Sequence, residues 1–307
     1  MRTLYQELEK WLIYYKKNSV KPSTYKRYQS ILKLIGKYGI GRIGIEELKT
    51  WHVQSYINDL VDSGYSKETI GKQYKILSEF VDYALNEDLI RKPICSQVKL
   101  PKESVMITKK REVVAYSADE QDRLRKILER GDNPSFYAAI LMLETGMRSG
   151  EVLALTWNDI DFKKRCVTIN KTTVCSYNKK DSRYVQMEPK TPSSIRKIPL
   201  SKNAMKAVEK LKSDDDGLSE YLFHDKDGVC FTYFDLRWWI RKACKEANVP
   251  YYGQHVFRHT FATNCYYKGC DVKLLSKMLG HSNASITYNT YIHLYGDALE
   301  EMRSILD

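Results

Sequence analysis

Apolar positions in the first hundred residues recur every three or four places, the spacing of helices with one buried face. Leu4, Leu8, Trp11, Leu12 and Tyr15 make the first such series. Pro22-Ser23-Thr24 opens a second, with Tyr28, Ile31, Leu32 and Ile35, which ends between Gly36 and Gly41. Thr50 is placed to cap a third helix carrying Val53, Tyr56, Ile57 and Leu60, closed by Gly64. Ser66 can cap a fourth, running through Ile70, Tyr74, Leu77, Phe80, Val81 and Leu85 and stopping before Pro93. Four such helices predict a compact bundle.

The pattern then breaks. From residue 91 to 116 the chain carries Pro93, Pro101 and Lys109-Lys110-Arg111, the composition of an extended connection. Helical spacing resumes at Ser117-Ala118-Asp119-Glu120, which has the form of a capping box. Pro134 opens an apolar helix that Gly146 ends, leaving Arg148 just beyond a helix terminus. Between Cys166 and Leu200 the runs Val167-Thr168-Ile169, Thr172-Thr173-Val174 and Ile195 to Leu200 are β-branched and short. They predict one small antiparallel sheet with Lys190-Thr191-Pro192 in or beside a hairpin turn. Helices are expected again from Ser201, Thr232, His255, Asp271 and Ser282, and an amphipathic one at 297–306 carries Leu299, Met302 and Ile305. The expected domains are 1–101, a linker at 102–116, and 117–307.

Charge narrows the function. The 307 residues carry a formal +12, which favours a polyanionic partner, most simply nucleic acid. Its placement says more than its size: Lys163 to Lys197 holds ten Lys/Arg against two acids, a local +8, so the rest of the chain carries +4. Seven cysteines without a C-x-x-C pair fit a reducing cytoplasm and neither a disulfide framework nor a zinc site. No apolar run approaches the roughly 18 residues of a membrane span.

The candidate chemistry lies in four short stretches. These are Thr145-Gly146-Met147-Arg148-Ser149-Gly150-Glu151, Gln254-His255-Val256-Phe257-Arg258-His259, Leu279-Gly280-His281-Ser282 and Thr290-Tyr291-Ile292-His293. Attack of a hydroxyl on a phosphodiester gathers negative charge on the non-bridging oxygens, and two planar guanidiniums make a fitting clamp. Arg148 and Arg258 are the candidates, and His255 and His281 can add hydrogen bonds or move a proton. Lys190, on the expected hairpin, is placed to protonate the departing sugar oxygen, with Lys179, Lys180 and Lys197 as competitors. Tyr291 would attack and form a covalent phosphotyrosine. With 23 tyrosines in the chain a C-terminal tyrosine is common, and Tyr288 is the rival. His259 and His293 read as structural, and His255 with His259 makes a poor metal pair without a carboxylate partner. A covalent intermediate would keep the bond energy, so strand transfer needs neither ATP nor metal.

In this order and spacing the residues resemble the tyrosine recombinases of the phage integrase family. The resemblance covers essentially the whole chain. It implies a mainly α fold with a small antiparallel β-sheet in the catalytic domain, two domains closing on DNA as a clamp. It assigns Arg148, Lys190, His255, Arg258, His281 and the nucleophile Tyr291 to catalysis, with Glu151, three residues after Arg148, supporting the site. It further implies double-stranded DNA as substrate and a homo-tetramer on two DNA sites, joined through a Holliday junction. An excisionase or host DNA-bending protein would be a further partner, and no cofactor is expected. The ending Tyr291-Ile292-His293 and the ten residues from His281 to Tyr291 resemble integrases of Gram-positive phages and conjugative transposons, bacterial cytoplasmic proteins acting at the nucleoid. Many of these carry an extra N-terminal domain for arm-type DNA sites, for which this chain leaves no room; a shorter subtype or a truncated form would account for that. Xer-type resolution of chromosome dimers, a type IB topoisomerase, a catalytically idle DNA-binding protein and a metal-dependent nuclease are the alternatives.

Overall fold

The computed structural model describes residues 2–102, 114–175, 184–187 and 195–291. The chain divides into two compact units, Met1–Arg111 and Glu112–Asp307. Among the described residues no helix is long and apolar enough to cross a membrane.

The first unit is the expected bundle. Helix α1 (Leu4–Trp11) starts at a capping box between Thr3 and Gln6 and runs on through a π-helical turn at Leu12–Lys16. Helices α2 (Pro22–Lys37), α3 (Thr50–Asp62) and α4 (Lys67–Asn86) follow. Ser66 caps α4 by accepting from the Thr69 N–H. At α3 the cap is shifted by one: Lys49 stands at the N-cap and Thr50 is the first helical residue. The His52 ring, reaching back to accept from the Lys49 N–H at 3.1 Å, supplies the partner that sets this start. Leu4, Leu8, Ile35, Val53, Leu60, Ile70, Leu77 and Phe80 make a core without solvent access. Its one polar pair is satisfied internally, the Tyr56 hydroxyl donating to Gln73 Oε1 at 3.1 Å.

The second unit is built around one helix. Helix α5 (Ala118–Arg130) opens on the Ser117/Glu120 capping box, and α6 (Pro134–Thr145) follows from Asn133. Ten of the twelve residues of α6 are buried, so it is wrapped on all sides, as its all-round apolar sequence requires. Gly146 ends it at φ +67°, and a side chain there would meet Phe261 at 2.4 Å. A single-turn helix α7 (Ser149–Leu153) leads to β1 (Ile160–Asp161), β2 (Cys166–Ile169), β3 (Thr172–Cys175), β4 (Tyr184–Met187) and β5 (Arg196–Pro199). Helices α8 (Lys202–Ser213), α9 (Tyr233–Glu246), α10 (His255–Tyr267), α11 (Val272–Leu279) and α12 (Ala284–Tyr291) complete the described chain.

The strands do not form the single sheet that their spacing suggests. The antiparallel sheet has three strands in the order β1-β2-β5, with Val167 opposite Ile198, both fully buried. Strands β3 and β4 pair separately. The division falls at Asn170-Lys171, where Lys171 forms an ion pair with Asp159 and donates to Thr156 Oγ1 at 2.9 Å. That anchor turns β3 away from β2 and towards α7, where the Thr173 hydroxyl donates to the Gly150 carbonyl at 3.3 Å. The 297–306 helix and the hairpin turn at Lys190 lie outside the described residues.

Gly146→Ala combines a left-handed backbone with a clash, so it should cost the second unit about 1–3 kcal/mol. Chemical denaturation checks this, and an unchanged midpoint would mean the turn relaxes freely.

Candidate active site

The end of α6 and the start of α7 set the first arginine. Arg148 immediately precedes α7 in an extended conformation. Its N–H donates to Glu151 Oε2 at 2.9 Å and its Nη1 to Glu151 Oε1 at 2.8 Å. One carboxylate thus ties both the backbone and the guanidinium of the residue three places before it, in the first helical turn where negative charge is favoured. The same Nη1 lies 3.5 Å from the Leu279 carbonyl.

A third arginine joins them, one that the sequence gives no role beyond its place in the expected strand from Ile195 to Leu200. Arg196 opens β5 with its side chain only 6% exposed. It donates Nη2 to Glu151 Oε2 at 2.8 Å, Nη1 to Glu151 Oε1 at 3.2 Å and Nε to the Met278 carbonyl at 2.6 Å. Burial alone would raise the Glu151 pKa; the Arg196 hydrogen bonds and charge, then Arg148, outweigh it and hold the carboxyl below its usual range. The signal for Arg196 was available: it shares a strand face with Ile198, and an arginine on a buried face requires a partner. Lys197, its neighbour, points to the exposed side.

Helix α10 and the turn between α11 and α12 add the rest. Arg258, 5% exposed, donates Nη1 to the Gly146 carbonyl at 2.9 Å and places Nη2 2.7 Å from His281 Nε2. His281 follows Gly280, which turns at φ +67° to end α11 and lies so close to Arg196 that a side chain would meet Nη1 at 2.9 Å. The other ring nitrogen of His281, Nδ1, sits 2.7 Å from Thr287 Oγ1 on α12. Burial, then Arg258, Arg148 and Arg196, lowers the His281 pKa to about 4. His259 also falls to about 4, through burial and then His255 and Arg258. His255 is the first residue of α10 and exposed, yet the protein packed around it, then Arg258 and Arg148, lowers its pKa too.

Of the expected residues, the structure links Arg148 with Glu151 and Arg258 with His281 by hydrogen bonds, with His255 in the same field. Tyr291 is the last described residue of α12. Its side chain, Lys190, Lys179, Lys180 and His293 lie outside what the structure describes; the rival Tyr288 is exposed. Among the described residues the side chains close enough to share a metal ion are Asp215, Asp216 and His224, a group to which no candidate residue belongs. A second surface escaped the sequence reading. The outer face of α9 presents Phe234, Arg237, Trp238, Arg241, Lys242 and Lys245, all exposed and at helical spacing. Lys242 Nζ lies 4.9 Å from the Trp239 ring centre and 5.7 Å from that of Trp238.

Residues 116–297 match the model of the phage integrase family, and residues 3–61 match the N-terminal SAM-like domain of phage integrases. The chain belongs to the phage integrase family. It is accordingly a tyrosine recombinase, an enzyme of site-specific DNA recombination. Among its relatives is a XerC-like tyrosine recombinase of Caldanaerobacter subterraneus, 29% identical over 95% of this chain and 79% of that protein. The ICEBs1 integrase of Bacillus subtilis is 27% identical over 94% of this chain and 78% of the relative. In fold it is similar to the Tn1549 transposon integrase solved with transposon right-end DNA, at TM-score 0.81 and 23% identity over 99% of this chain and 100% of the other.

Two outcomes follow for this integrase. Arg196→Met leaves the buried Glu151 carboxylate with Arg148 as its one remaining guanidinium and should cost about 3–5 kcal/mol, while Arg196→Met/Glu151→Met should recover part of the loss. A double variant no better than the single one would show that the underpaired carboxylate is not the source of the loss. The histidines set a pH dependence. With pKa values near 4 for His259 and His281 in the folded chain, below the ordinary imidazole value of about 6.5, the unfolded chain binds protons that the folded chain refuses. Stability from this source is complete above about 6.5 and is lost as pH falls towards 4. Melting from pH 7.5 to 4.5 should show the drop, and His259→Asn/His281→Asn should flatten it.

Proposed function

We propose that this chain integrates and excises a mobile element by cutting and rejoining DNA through a 3'-phosphotyrosine. The observation that carries the reading is the Arg258–His281 pair beside Arg148 and Glu151. It forms a cationic pocket in which the His281 ring is neutral, held between Arg258 and Thr287. Arg148 and Arg258 clamp the non-bridging oxygens, His255 hydrogen-bonds them, His281 joins once the phosphate's charge has favoured a proton at its Nε2, and Glu151 supports Arg148. Tyr291 Oη forms the new bond to phosphorus, and the bond to the 5' oxygen breaks. Lys190 gives that oxygen its proton, and neutral His255 offers an acceptor for the proton of Tyr291. A 5' hydroxyl from another strand then attacks the phosphotyrosine and releases the tyrosine, so no bond energy is lost.

On this reading residues 1–101 are the core-binding DNA domain, 102–116 the linker and 117–307 the catalytic domain. Double-stranded DNA is the partner, and the basic, aromatic face of α9 supports contact with it, since lysine and arginine serve phosphates and aromatic rings can meet bases. Affinity should therefore fall steeply with salt. Exchange between two duplexes breaks four strands, each needing one tyrosine, which supports a homo-tetramer passing through a Holliday junction. An excisionase or a host DNA-bending protein would set direction, and the setting is the bacterial cytoplasm at the nucleoid.

The test uses nicked duplexes from the junctions flanking the chain's own gene, resolved on a denaturing gel beside Tyr291→Phe. A covalent protein–DNA band lost only in the variant is the expected result. A band that persists would move the nucleophile to Tyr288. No band from either protein, despite salt-sensitive binding, would replace the reading by that of a DNA-binding protein without cleavage.

A further inference from the structure

Thr287 has no part in the chemistry above, yet it is 1% exposed and its hydroxyl meets a ring nitrogen of His281 at 2.7 Å. The donor inventory fixes the direction of that bond. A guanidinium only donates, so at 2.7 Å from Arg258 Nη2 the His281 Nε2 must accept. The single proton of the neutral imidazole then sits on Nδ1 and is given to Thr287 Oγ1. The low pKa of His281 fits the same neutral ring. Without an acceptor at Nδ1 that N–H is left unpaired and the ring loses the bond that fixes its orientation.

The place of Thr287 gives this bond a second meaning. It stands on α12, four residues before Tyr291, so their backbone positions are about one helical turn apart. The hydroxyl that orients the imidazole is thereby fixed to the helix that carries the proposed nucleophile. A histidine bound at one ring nitrogen takes its orientation from the hydrogen bond at the other.

We propose that Thr287 is a positioning residue, which aligns His281 Nε2 in the phosphate pocket only while the Tyr291 helix is seated against it. This rests on the strand-transfer reading of the site. The nucleophile and the phosphate-binding groups then become competent together, because a helix that withdraws Tyr291 also withdraws the acceptor of His281.

The experiment has two readouts on the full chain. One is the rate of covalent complex formation on nicked duplex; the other is the hydrogen bonding of the His281 Nδ1–H, from proton and nitrogen chemical shifts of histidine-labelled protein. Thr287→Val keeps the side-chain shape and removes the hydroxyl, Thr287→Ala removes it without branching in case the valine misfolds, and Thr287→Ser retains it. Loss of the hydroxyl should slow cleavage by about 10- to 100-fold, the usual effect of removing a histidine's orienting partner. DNA affinity should be unchanged, the His281 Nδ1–H resonance should shift as it loses its acceptor, and Thr287→Ser should restore both readouts. A wild-type rate in the hydroxyl-free variants would overturn the proposal, as would a slow rate with the Nδ1–H resonance unchanged, since Thr287 would then only brace the helix. If the unmodified chain forms no covalent complex but its Nδ1–H resonance still depends on the hydroxyl, the strand-transfer reading fails while the anchor stands.

Discussion

The second unit depends on one buried ion pair, Arg196 with Glu151. Both side chains are 6% exposed, so neither charge could be held there alone. The carboxylate is satisfied because two guanidinium nitrogens and one backbone N–H converge on its oxygens, and a third guanidinium contact comes from Arg148. Each bond crosses a different join. Arg196 brings the last strand of the sheet to α7, and its Nε carries that strand on to the end of α11. A hydrophobic residue at either position could fill the space, but it could not fix the guanidinium of Arg148. An arginine free at its side chain has up to about 2 kcal/mol of rotamer entropy to lose on meeting an anion. In this unit the fold has already ordered it.

The same cations decide what the histidines are. A positive potential from Arg258, Arg148 and Arg196 adds to burial, and His281 stays neutral well below ordinary imidazole values. A neutral ring can accept at one nitrogen and donate at the other, which is what its bonds to Arg258 and Thr287 require. A phosphodiester entering the pocket would offset part of the local positive field and raise the affinity of the histidines for protons. The protonation state suited to hydrogen-bonding a developing negative charge would therefore arrive with the substrate.

Much of this was legible because the decisive signals are local. The caps at Ser66, Ser117, Ser201, Thr232 and Asp271 are side-chain-to-backbone bonds within three residues, so sequence alone locates the helix starts. Arg148, Glu151, Arg258 and His281 were found because short motifs hold them. The failures are non-local. The pairing of β2 with β5 rather than β3 is set by Lys171 reaching Asp159, a contact between separate segments. Arg196 was passed over because its meaning lies in which face of β5 it occupies. The face of α9 is not visible along the chain because its basic and aromatic residues come together only around the helix.

The arginines of the site also share a way of being held. Arg258 donates to the carbonyl of Gly146, where α6 ends, Arg196 to that of Met278, and Arg148 approaches that of Leu279, where α11 ends. Helix C-termini leave carbonyls without intrahelical partners and carry the negative end of the dipole, so they suit guanidinium groups. Because they hold the arginines through partial charges, they fix direction without cancelling charge. Among the described residues the carboxylate in this cluster is Glu151, paired with Arg148 and Arg196, while Arg258 is held by the Gly146 carbonyl and the neutral His281, so cations outnumber anions there. Three carboxylates would order the same side chains equally well and leave nothing to attract an anion. Anchoring on helix ends explains how the pocket can be both rigid and strongly cationic before anything binds.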